Sequence, residues 1–301
     1  MQLGFKPSET ILLPEYICEV VLHPLDQLGL QYRYYSVDDR LVPKWDELPG
    51  LVDEQTRAIM MVHYFGQPQD IPAFQSFCNK YKLLLIEDNA HGHGGTFNGQ
   101  PLGSFGDIGI SSPRKQLLTS SGGVLYLHGK THSPPQKLTS YPVNPFRRGL
   151  GQSARRLPGL KGVLRRLLKT EPDFDDPYAF PEIREAYFRA DSASANRIAD
   201  KNWVAHSRKR REAWTAWADY AHRKGLEPLW DEPHPDSSPW ALPVYAPDPQ
   251  ARFQALREGW WQGQDWFPWP TLPHLVIQQH PNVVTRWKRL LCFPLHRFPD
   301  D

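Results

Sequence analysis

The feature that most constrains the fold of this chain is a series of short apolar runs within residues 8–127, separated by helical or looped connections. Each run is four or five residues long and is bounded by turn-forming residues, which is typical of parallel strands that are covered on both faces. The predicted strands are residues 10–13, 32–36, 58–62, 83–87 and 123–127. Strands that alternate with helices in this way predict an α/β domain with a mostly parallel sheet.

The connection between the third and fourth predicted strands has a strong helical pattern. Apolar residues recur at spacings of three and four over Ile71–Tyr81, which indicates a helix with one buried stripe. Asp70 and Pro72 are suitable residues for its start. A longer helical region is expected over residues 183–224, with Gly225 as its stop.

The C-terminal part predicts a small α+β unit, because apolar runs at residues 240–245 and 290–295 flank a helical pattern at 249–258. This part is rich in tryptophan, which suggests an aromatic stacking surface, although packing in a core or an interface is the commoner use of such residues. The tryptophans concerned are Trp230, Trp240, Trp260, Trp261, Trp266 and Trp269. The expected organisation is a large domain, a linker or insert, and a small domain. Their predicted limits are residues 1–130, 131–182 and 183–301.

The predicted linker is irregular, because prolines interrupt any long element in it. Within it, residues 147–169 contain many Lys and Arg residues and no acidic residue. Two interpretations stay open for this basic run. It could be an amphipathic helix that binds an anionic membrane surface or the phosphate of a sugar nucleotide, or a solvated cationic surface segment, which is the usual role of a charge run.

Composition excludes several classes of protein. A formal net charge of +2 gives no case for a nucleic-acid partner. The cysteines Cys18, Cys78 and Cys292 form no CxxC pair, so neither a disulfide framework nor a structural zinc site is expected, and a reducing cytoplasm fits best. No stretch approaches the ~18 consecutive apolar residues of a transmembrane segment, and no signal peptide is expected at the start.

The first candidate functional segment is residues 83–95, where an apolar strand ends in Glu87 and Asp88 and continues into a turn rich in Gly and His. Ligands of open parallel sheets bind at the carboxyl ends of the strands, so Asp88 is placed to reach one. The alternative is that both carboxylates only cap the following segment. His91 and His93 give little support for a metal site, because no further ligand follows at a recognisable spacing.

The second candidate segment, residues 107–123, contains Ser111, Ser112 and Lys115. A lysine among small and polar residues can form a Schiff base with a carbonyl compound or with pyridoxal phosphate when its free amine is available. A solvated surface position is the more common role of an isolated loop lysine.

Together these segments and their flanks resemble the DegT type of sugar aminotransferases, which are fold-type I pyridoxal-phosphate enzymes. The resembling motifs occur in order along residues 4–127. They are GFKPSETILLP at residues 4–14, TRAIMMVHYFGQ at 56–67, IEDNAHGHG at 86–94, GQPLGSFGD at 99–107, and a lysine segment in which Gly122 and Gly123 follow Lys115 by seven and eight residues. The resemblance implies a large domain of fold type I with a mostly parallel sheet, and a small α+β C-terminal domain.

The resemblance also implies roles for individual residues. Lys115 would hold pyridoxal 5'-phosphate (PLP) covalently and then move a proton between the substrate and cofactor carbons. Asp88 would face the pyridine nitrogen and keep it protonated. His91 would lie near the phenolic oxygen of the cofactor. Ser111 or Ser112 would contact the phosphate, and the segment before the lysine is a few residues shorter than usual, so the choice between them stays open.

The implied reaction is amino transfer, usually from glutamate, to a keto group of a nucleotide-linked sugar. The implied enzyme is a cytoplasmic homodimer of polysaccharide or cell-surface glycan biosynthesis. Members of this family carry a helix and a phosphate-binding Gly-Ser/Thr loop before the first matched strand, and this chain begins almost on that strand, so an N-terminal truncation is expected. The alternative function is that of a non-catalytic homologue that acts as a binding or regulatory partner.

Overall fold

The computed structural model of the chain describes residues 4–117, 119, 121–128, 139–140, 163, 166–167, 171–176 and 188–299. Most of the predicted linker at residues 131–182 lies outside the described residues, including nearly all of the basic run at 147–169 and its two interpretations. The division of the chain into three parts therefore stays a prediction.

The N-terminal part is built on a six-stranded sheet. Up to residue 128 the strands are β1 (Thr10–Pro14), β2 (Gln31–Tyr35), β3 (Thr56–Val62), β4 (Leu84–Asn89), β5 (Thr96–Phe97), β6 (Gln100–Pro101), β7 (Ile108–Ser111) and β8 (Val124–Leu127). The large sheet has the order β2-β1-β3-β4-β7-β8, and its strands are parallel except that β8 is antiparallel to β7. β5 and β6 form a separate hairpin. This sheet confirms the predicted α/β class.

All five predicted strands are present, with ends within two residues of those predicted. The sequence analysis missed β7, because Gly109 and Ser111 interrupt its apolar run. A glycine is required at residue 109, since a Cβ atom there would lie 1.7 Å from the carbonyl oxygen of Gly103. The close approach of Gly103 therefore requires the glycine that interrupts the apolar pattern of this strand.

The helices of the described residues with their limits are α1 (Leu22–Gln27), α2 (Ile71–Tyr81), α3 (Ser192–Ala199), α4 (Trp203–Arg223), α5 (Pro249–Trp261), α6 (His274–Gln279) and α7 (Pro281–Trp287). Helix α2 has the predicted limits, and the Asp70 side chain caps it by accepting a hydrogen bond from the Ala73 N–H at 3.0 Å. It buries the predicted apolar stripe against the large sheet. Of the helices in the described ranges, none is both long enough and apolar enough to span a lipid bilayer.

The prediction of one helical region over residues 183–224 is wrong in part. Residues 183–187 are outside the described ranges, and β10 (Phe188–Arg189) pairs in parallel with β9 (Thr139–Ser140). The remainder is divided between α3 and α4, because the Asn202 side chain accepts a hydrogen bond from the Ala205 N–H at 3.0 Å and so starts a new helix. Gly225 follows the end of α4 with a positive φ of 70°, in agreement with its predicted role.

Three antiparallel strands form a second sheet in the C-terminal part. They are β11 (Glu227–Pro228), β12 (Ala241–Tyr245) and β13 (Leu290–Pro294), paired in that order. Their side chains alternate between two cores, as the period of a strand requires. Cys292 packs in the core of the large sheet, whereas its neighbour Phe293 packs with residues of α4 and α5. This sheet with its helices confirms the predicted small α+β unit, and it is packed on both faces.

Candidate active site

A cavity of about 430 Å³ lies against one face of the large sheet and extends past the carboxyl ends of β4 and β7. Its size is within the range of small-molecule sites, roughly 300–1,000 Å³. Most of its wall is aliphatic. The side chains that give it charge or hydrogen-bonding capacity are Asp88, His91, Ser112, Arg114 and Lys115. Asp88, His91 and Lys115, all proposed from the sequence, therefore meet in one place with Ser112, one of the two alternative serines.

The period of two along the strands decides which side chains enter this cavity. On β4, Asp88 lines the cavity, whereas its neighbour Glu87 does not. Beyond the end of β7, Ser112 lines the cavity and Ser111 does not. Successive residues of a strand point to opposite faces of the sheet, which accounts for both pairs.

Asp88 is the acidic group of the cavity. It is buried at the end of β4, and its Oδ1 atom accepts a hydrogen bond from the Ala90 N–H at 2.8 Å. Its backbone carbonyl accepts a second hydrogen bond from the His63 N–H at 2.9 Å. These contacts fix the position of a carboxylate at the edge of the sheet where ligands of parallel sheets bind.

Glu87 has a structural environment that differs from that of Asp88. Its carboxylate is completely buried and accepts hydrogen bonds from His63 Nε2 at 2.8 Å and from the N–H groups of Gly103, Phe105 and Gly106 at 2.6, 2.6 and 3.0 Å. Burial acts to raise the pKa of Glu87, but the hydrogen bond and charge of His63 and the N–H groups outweigh burial and lower the pKa below its ordinary value. Glu87 therefore holds the loop at residues 103–106 to the sheet, a role related to the capping alternative.

His91 is a neutral hydrogen-bond donor in the wall of the cavity. Its Nδ1 atom accepts a hydrogen bond from the Phe65 N–H at 3.1 Å, so the proton of the neutral ring is on Nε2. Burial and, to a smaller extent, the charge of Lys115 lower the pKa of His91 well below its ordinary value. Phe65 has a left-handed backbone conformation with φ of 54°, an uncommon arrangement for a bulky residue. That conformation brings the backbone N–H of Phe65 to the histidine ring and fixes the tautomer.

Lys115 lies at the end of a short 3₁₀ turn, Pro113–Lys115, that follows β7. Its Nζ atom is 3.2 Å from His91 Nε2 and 4.8 Å from the centre of the Trp240 ring. Lys115 Nζ and His91 Nε2 are thus within hydrogen-bond distance of each other. A lysine attacks a carbonyl carbon through its amine nitrogen.

Ser111 does not line the cavity, and its hydroxyl is paired with His93. Its Oγ atom is 2.7 Å from Nδ1 of His93. Burial lowers the pKa of His93 to about 4, so this ring is neutral near pH 7. His91 and His93 thus have different surroundings. Within the described ranges, no three His, Cys, Asp or Glu side chains are grouped so that they could hold a metal ion.

The sequence analysis missed several contacts that complete the site from distant parts of the chain. Gln116 Nε2 donates to the carbonyl oxygens of His91 at 2.9 Å and Ser238 at 2.7 Å, so it ties the lysine turn to the C-terminal part. The rings of Trp240 and Trp269 lie 4.5 and 4.7 Å from the ring of His91. The tryptophan-rich pattern was the only signal for these contacts, and two of those tryptophans serve the site rather than a separate stacking surface.

The buried histidines predict that the fold loses stability in acid. Burial lowers the pKa of His93 to about 4 and that of His206 to about 3, whereas histidines of the unfolded chain titrate near the ordinary value of 6.5. The unfolded state therefore binds more protons below pH 6.5, and stability should be full above that pH and fall as the pH drops towards 4. His93 alone should contribute roughly 2–3 kcal/mol of this loss by pH 4.

Urea unfolding midpoints measured from pH 7.5 to pH 4 test this pH dependence. The variant His93→Gln keeps a hydrogen-bonding side chain but removes one titrating group, so its midpoint should change less steeply with pH. A wild-type midpoint that stays level between pH 7 and pH 5 would contradict the prediction.

Residues 1–133 match the model of the DegT/DnrJ/EryC1/StrS aminotransferase family. This match confirms the resemblance drawn from the motifs of residues 4–127. It covers all five polar residues of the cavity, Asp88, His91, Ser112, Arg114 and Lys115.

Two curated relatives match the same part of the chain. The dTDP-4-dehydro-2,3,6-trideoxy-D-glucose 4-aminotransferase of Saccharopolyspora spinosa is 30% identical over 127 residues, which are 41% of this chain and 33% of that protein. The UDP-N-acetyl-3-dehydro-alpha-D-glucosamine 3-aminotransferase of Acidithiobacillus ferrooxidans is 32% identical over 124 residues, which are 40% of this chain and 34% of that protein. The matched region therefore spans about a third of the length of these relatives.

Solved structures match the fold of the whole chain. The aminotransferase TlmJ from Streptoalloteichus hindustanus has a TM-score of 0.66 at 21% identity, and the match covers 100% of this chain and 77% of TlmJ. The GDP-4-keto-6-deoxy-D-mannose-3-dehydratase of E. coli, solved with bound hydrated PLP, has a TM-score of 0.65 at 16% identity, covering 96% and 76% of the two chains. These likenesses confirm the predicted fold, an α/β architecture of the PLP aminotransferase type.

Proposed function

We propose that this chain is a PLP-dependent aminotransferase that transfers an amino group to a keto group of a nucleotide-linked sugar. The observation that carries the proposal is the meeting of Asp88, His91 and Lys115 in one cavity at the carboxyl end of the sheet. The names of the two curated relatives, which specify dTDP- and UDP-linked sugars, support the substrate class.

The finer parts of the proposal rest on the family resemblance. They are glutamate as the amino donor, a homodimer as the active form, and a role in polysaccharide or cell-surface glycan biosynthesis. A cytoplasmic location is also proposed, and the absence of disulfides among the three buried cysteines is consistent with it.

The residues of the cavity suit PLP. The aliphatic wall can cover an aromatic ring, and a carboxylate, a neutral histidine donor, a hydroxyl and a lysine are grouped at one end. These are the functional groups that PLP needs for its ring, its charged nitrogen, its phenolic oxygen, its phosphate and its carbonyl carbon.

Three residues would hold the cofactor in this proposal. Lys115 would bind it covalently through Nζ, and Asp88 would accept a hydrogen bond from the protonated pyridine nitrogen. Ser112 would donate to the phosphate; we prefer it to Ser111, whose hydroxyl is already paired with His93. When bound, PLP supplies an aromatic ring that withdraws electrons from the carbon carrying the amino group.

The remaining chemistry belongs to side chains of this protein. Lys115 Nζ would remove and return the proton at the substrate carbon as a general base and acid. His91 would donate from Nε2 in a fixed tautomer, because the Phe65 N–H occupies Nδ1. The negative charge of Asp88 would keep the proton on the pyridine nitrogen, which is the form of the ring that withdraws electrons best.

The glutamate half-reaction tests the proposed function. Protein loaded with PLP and freed of excess cofactor is mixed with L-glutamate, and the released 2-oxoglutarate is measured. We expect about one equivalent per site and a parallel change in the visible absorbance. D-glutamate and the protein without PLP serve as controls.

The second half-reaction requires an acceptor. Keto sugars linked to dTDP, UDP and GDP are offered to the aminated protein, and an amino sugar should form with at least one of them. If PLP binds to Lys115 but no amino donor releases its keto acid, the aminotransferase proposal fails, and a binding or regulatory role becomes the better account.

A further inference from the structure

We propose that Arg114 binds the phosphate group of the cofactor, an inference that rests on the proposed function. Arg114 occupies the middle of the 3₁₀ turn Pro113–Lys115, and it lines the cavity together with Ser112 and Lys115. A single short turn and the residue before it thus bring a serine, an arginine and a lysine to the wall of one cavity.

Arg114 makes no polar contact with the residues that the structure describes. Among the described residues it has no hydrogen-bond or ion-pair partner, and its side chain is exposed. Arg210, by contrast, donates to the backbone carbonyl oxygens of Pro239 and Trp240. The guanidinium of Arg114 therefore has its donors available for a ligand.

The charge of the cavity also favours an anion beside this turn. With His91 neutral, the charged side chains among the lining residues are Asp88, Arg114 and Lys115. Two of these three residues, Arg114 and Lys115, are basic, and both lie on this turn. A guanidinium binds a phosphate through two parallel hydrogen bonds, and the adjacent Ser112 hydroxyl can supply a third donor.

Two ligands of the proposed reaction carry phosphate, the cofactor and the nucleotide sugar. We assign Arg114 to the phosphate monoester of the cofactor, because its sequence neighbours Ser112 and Lys115 are the residues proposed to hold that molecule. The diphosphate of the nucleotide has the same chemistry, so the experiment must separate the two.

Binding of PLP and of pyridoxal, which lacks the phosphate, separates a phosphate contact from a general change in the cavity. Dissociation constants are measured by absorbance for the wild type and for Arg114→Gln. We expect the variant to bind PLP about 10- to 100-fold more weakly, as for a lost charge-assisted hydrogen bond, with less than about a twofold change for pyridoxal. Ser112→Ala should shift the constants in the same direction by a smaller factor. Arg223→Gln, at an exposed arginine at the end of α4, is the matched control.

Three results would overturn the inference. They are an unchanged dissociation constant for PLP in Arg114→Gln, an equal weakening for PLP and pyridoxal, and weaker binding of UDP or dTDP with PLP unaffected. If the wild type binds PLP at Lys115 and only the variant result is negative, this inference fails and the proposed function stands. If the wild type binds no PLP at all, both fail.

Discussion

Replacing Lys115 with alanine is expected to abolish covalent attachment of PLP and to lower the rate of amino transfer by about three orders of magnitude. Lys115 contributes both the nucleophile and the proton-transfer group in the proposed reaction, and loss of a general base alone lowers a rate by about 10²- to 10⁴-fold. The measurements are the visible absorbance of the protein with PLP and the release of 2-oxoglutarate from glutamate.

The stability of this variant should change little, because the Lys115 side chain is partly exposed. Lys209→Ala, at an exposed position of α4, is the matched control and should retain both the adduct and the activity. Amino transfer at the wild-type rate by a folded Lys115→Ala protein would contradict the assigned role.

Replacing Glu87 with alanine is expected to lower the free energy of unfolding by roughly 3–5 kcal/mol, because several buried donors lose their acceptor and each costs about 1–3 kcal/mol. The substitution leaves His63 Nε2 and the N–H groups of Gly103, Phe105 and Gly106 without their common acceptor in a completely buried position. Each unsatisfied buried donor is costly, because water cannot replace the lost partner there. Urea unfolding of the wild type and the variant gives the difference.

Two further variants distinguish this network from a general effect of losing a carboxylate. Glu87→Gln keeps one acceptor oxygen but brings an NH₂ group among N–H donors, so its loss should be substantial yet smaller. Glu212→Ala removes an exposed carboxylate of α4 that pairs with Arg208 at 3.6 Å, and such surface pairs contribute about 0–1 kcal/mol. A loss of less than about 1 kcal/mol in Glu87→Ala would show that the loop at residues 103–106 is held by other contacts.

The parallel sheet could be predicted from the sequence because its central strands are buried on both faces. Such strands are nearly continuous apolar runs, and runs of this kind at residues 10–13 and 58–62 are unambiguous in the sequence. Helix α2 was predictable for an equally local reason, its apolar spacing and the capping residue Asp70. Strand β7 was not predictable, because residue 109 must be a glycine. A Cβ atom there would clash with the carbonyl oxygen of Gly103, a residue outside the strand.

The same limit applies to the choice between the two serines. Once β7 is known, the alternation of side chains along it distinguishes Ser111 from Ser112. Without the strand, neither the spacing to Lys115 nor the family motif could decide. The failure to predict β7 therefore also explains why the sequence could not decide between Ser111 and Ser112.

The contacts that complete the site depend on folding of distant segments onto one another. The hydrogen bond from Gln116 to Ser238 joins residues 122 positions apart, and no local sequence pattern predicts it. The tautomer of His91 depends on the left-handed backbone of Phe65, which in turn is held by the hydrogen bond from the Trp240 N–H to its carbonyl oxygen at 2.9 Å. Sequence motifs could therefore identify the reactive side chains of the site but not the contacts that hold them in position.

The central claim is that Lys115 in this cavity binds PLP covalently. The most direct test is borohydride reduction of the purified chain after incubation with PLP, followed by mass-spectrometric mapping of the modified lysine. We predict one stoichiometric adduct, on Lys115, together with visible absorbance that disappears on reduction. An adduct spread over surface lysines, or none on Lys115, would contradict the claim.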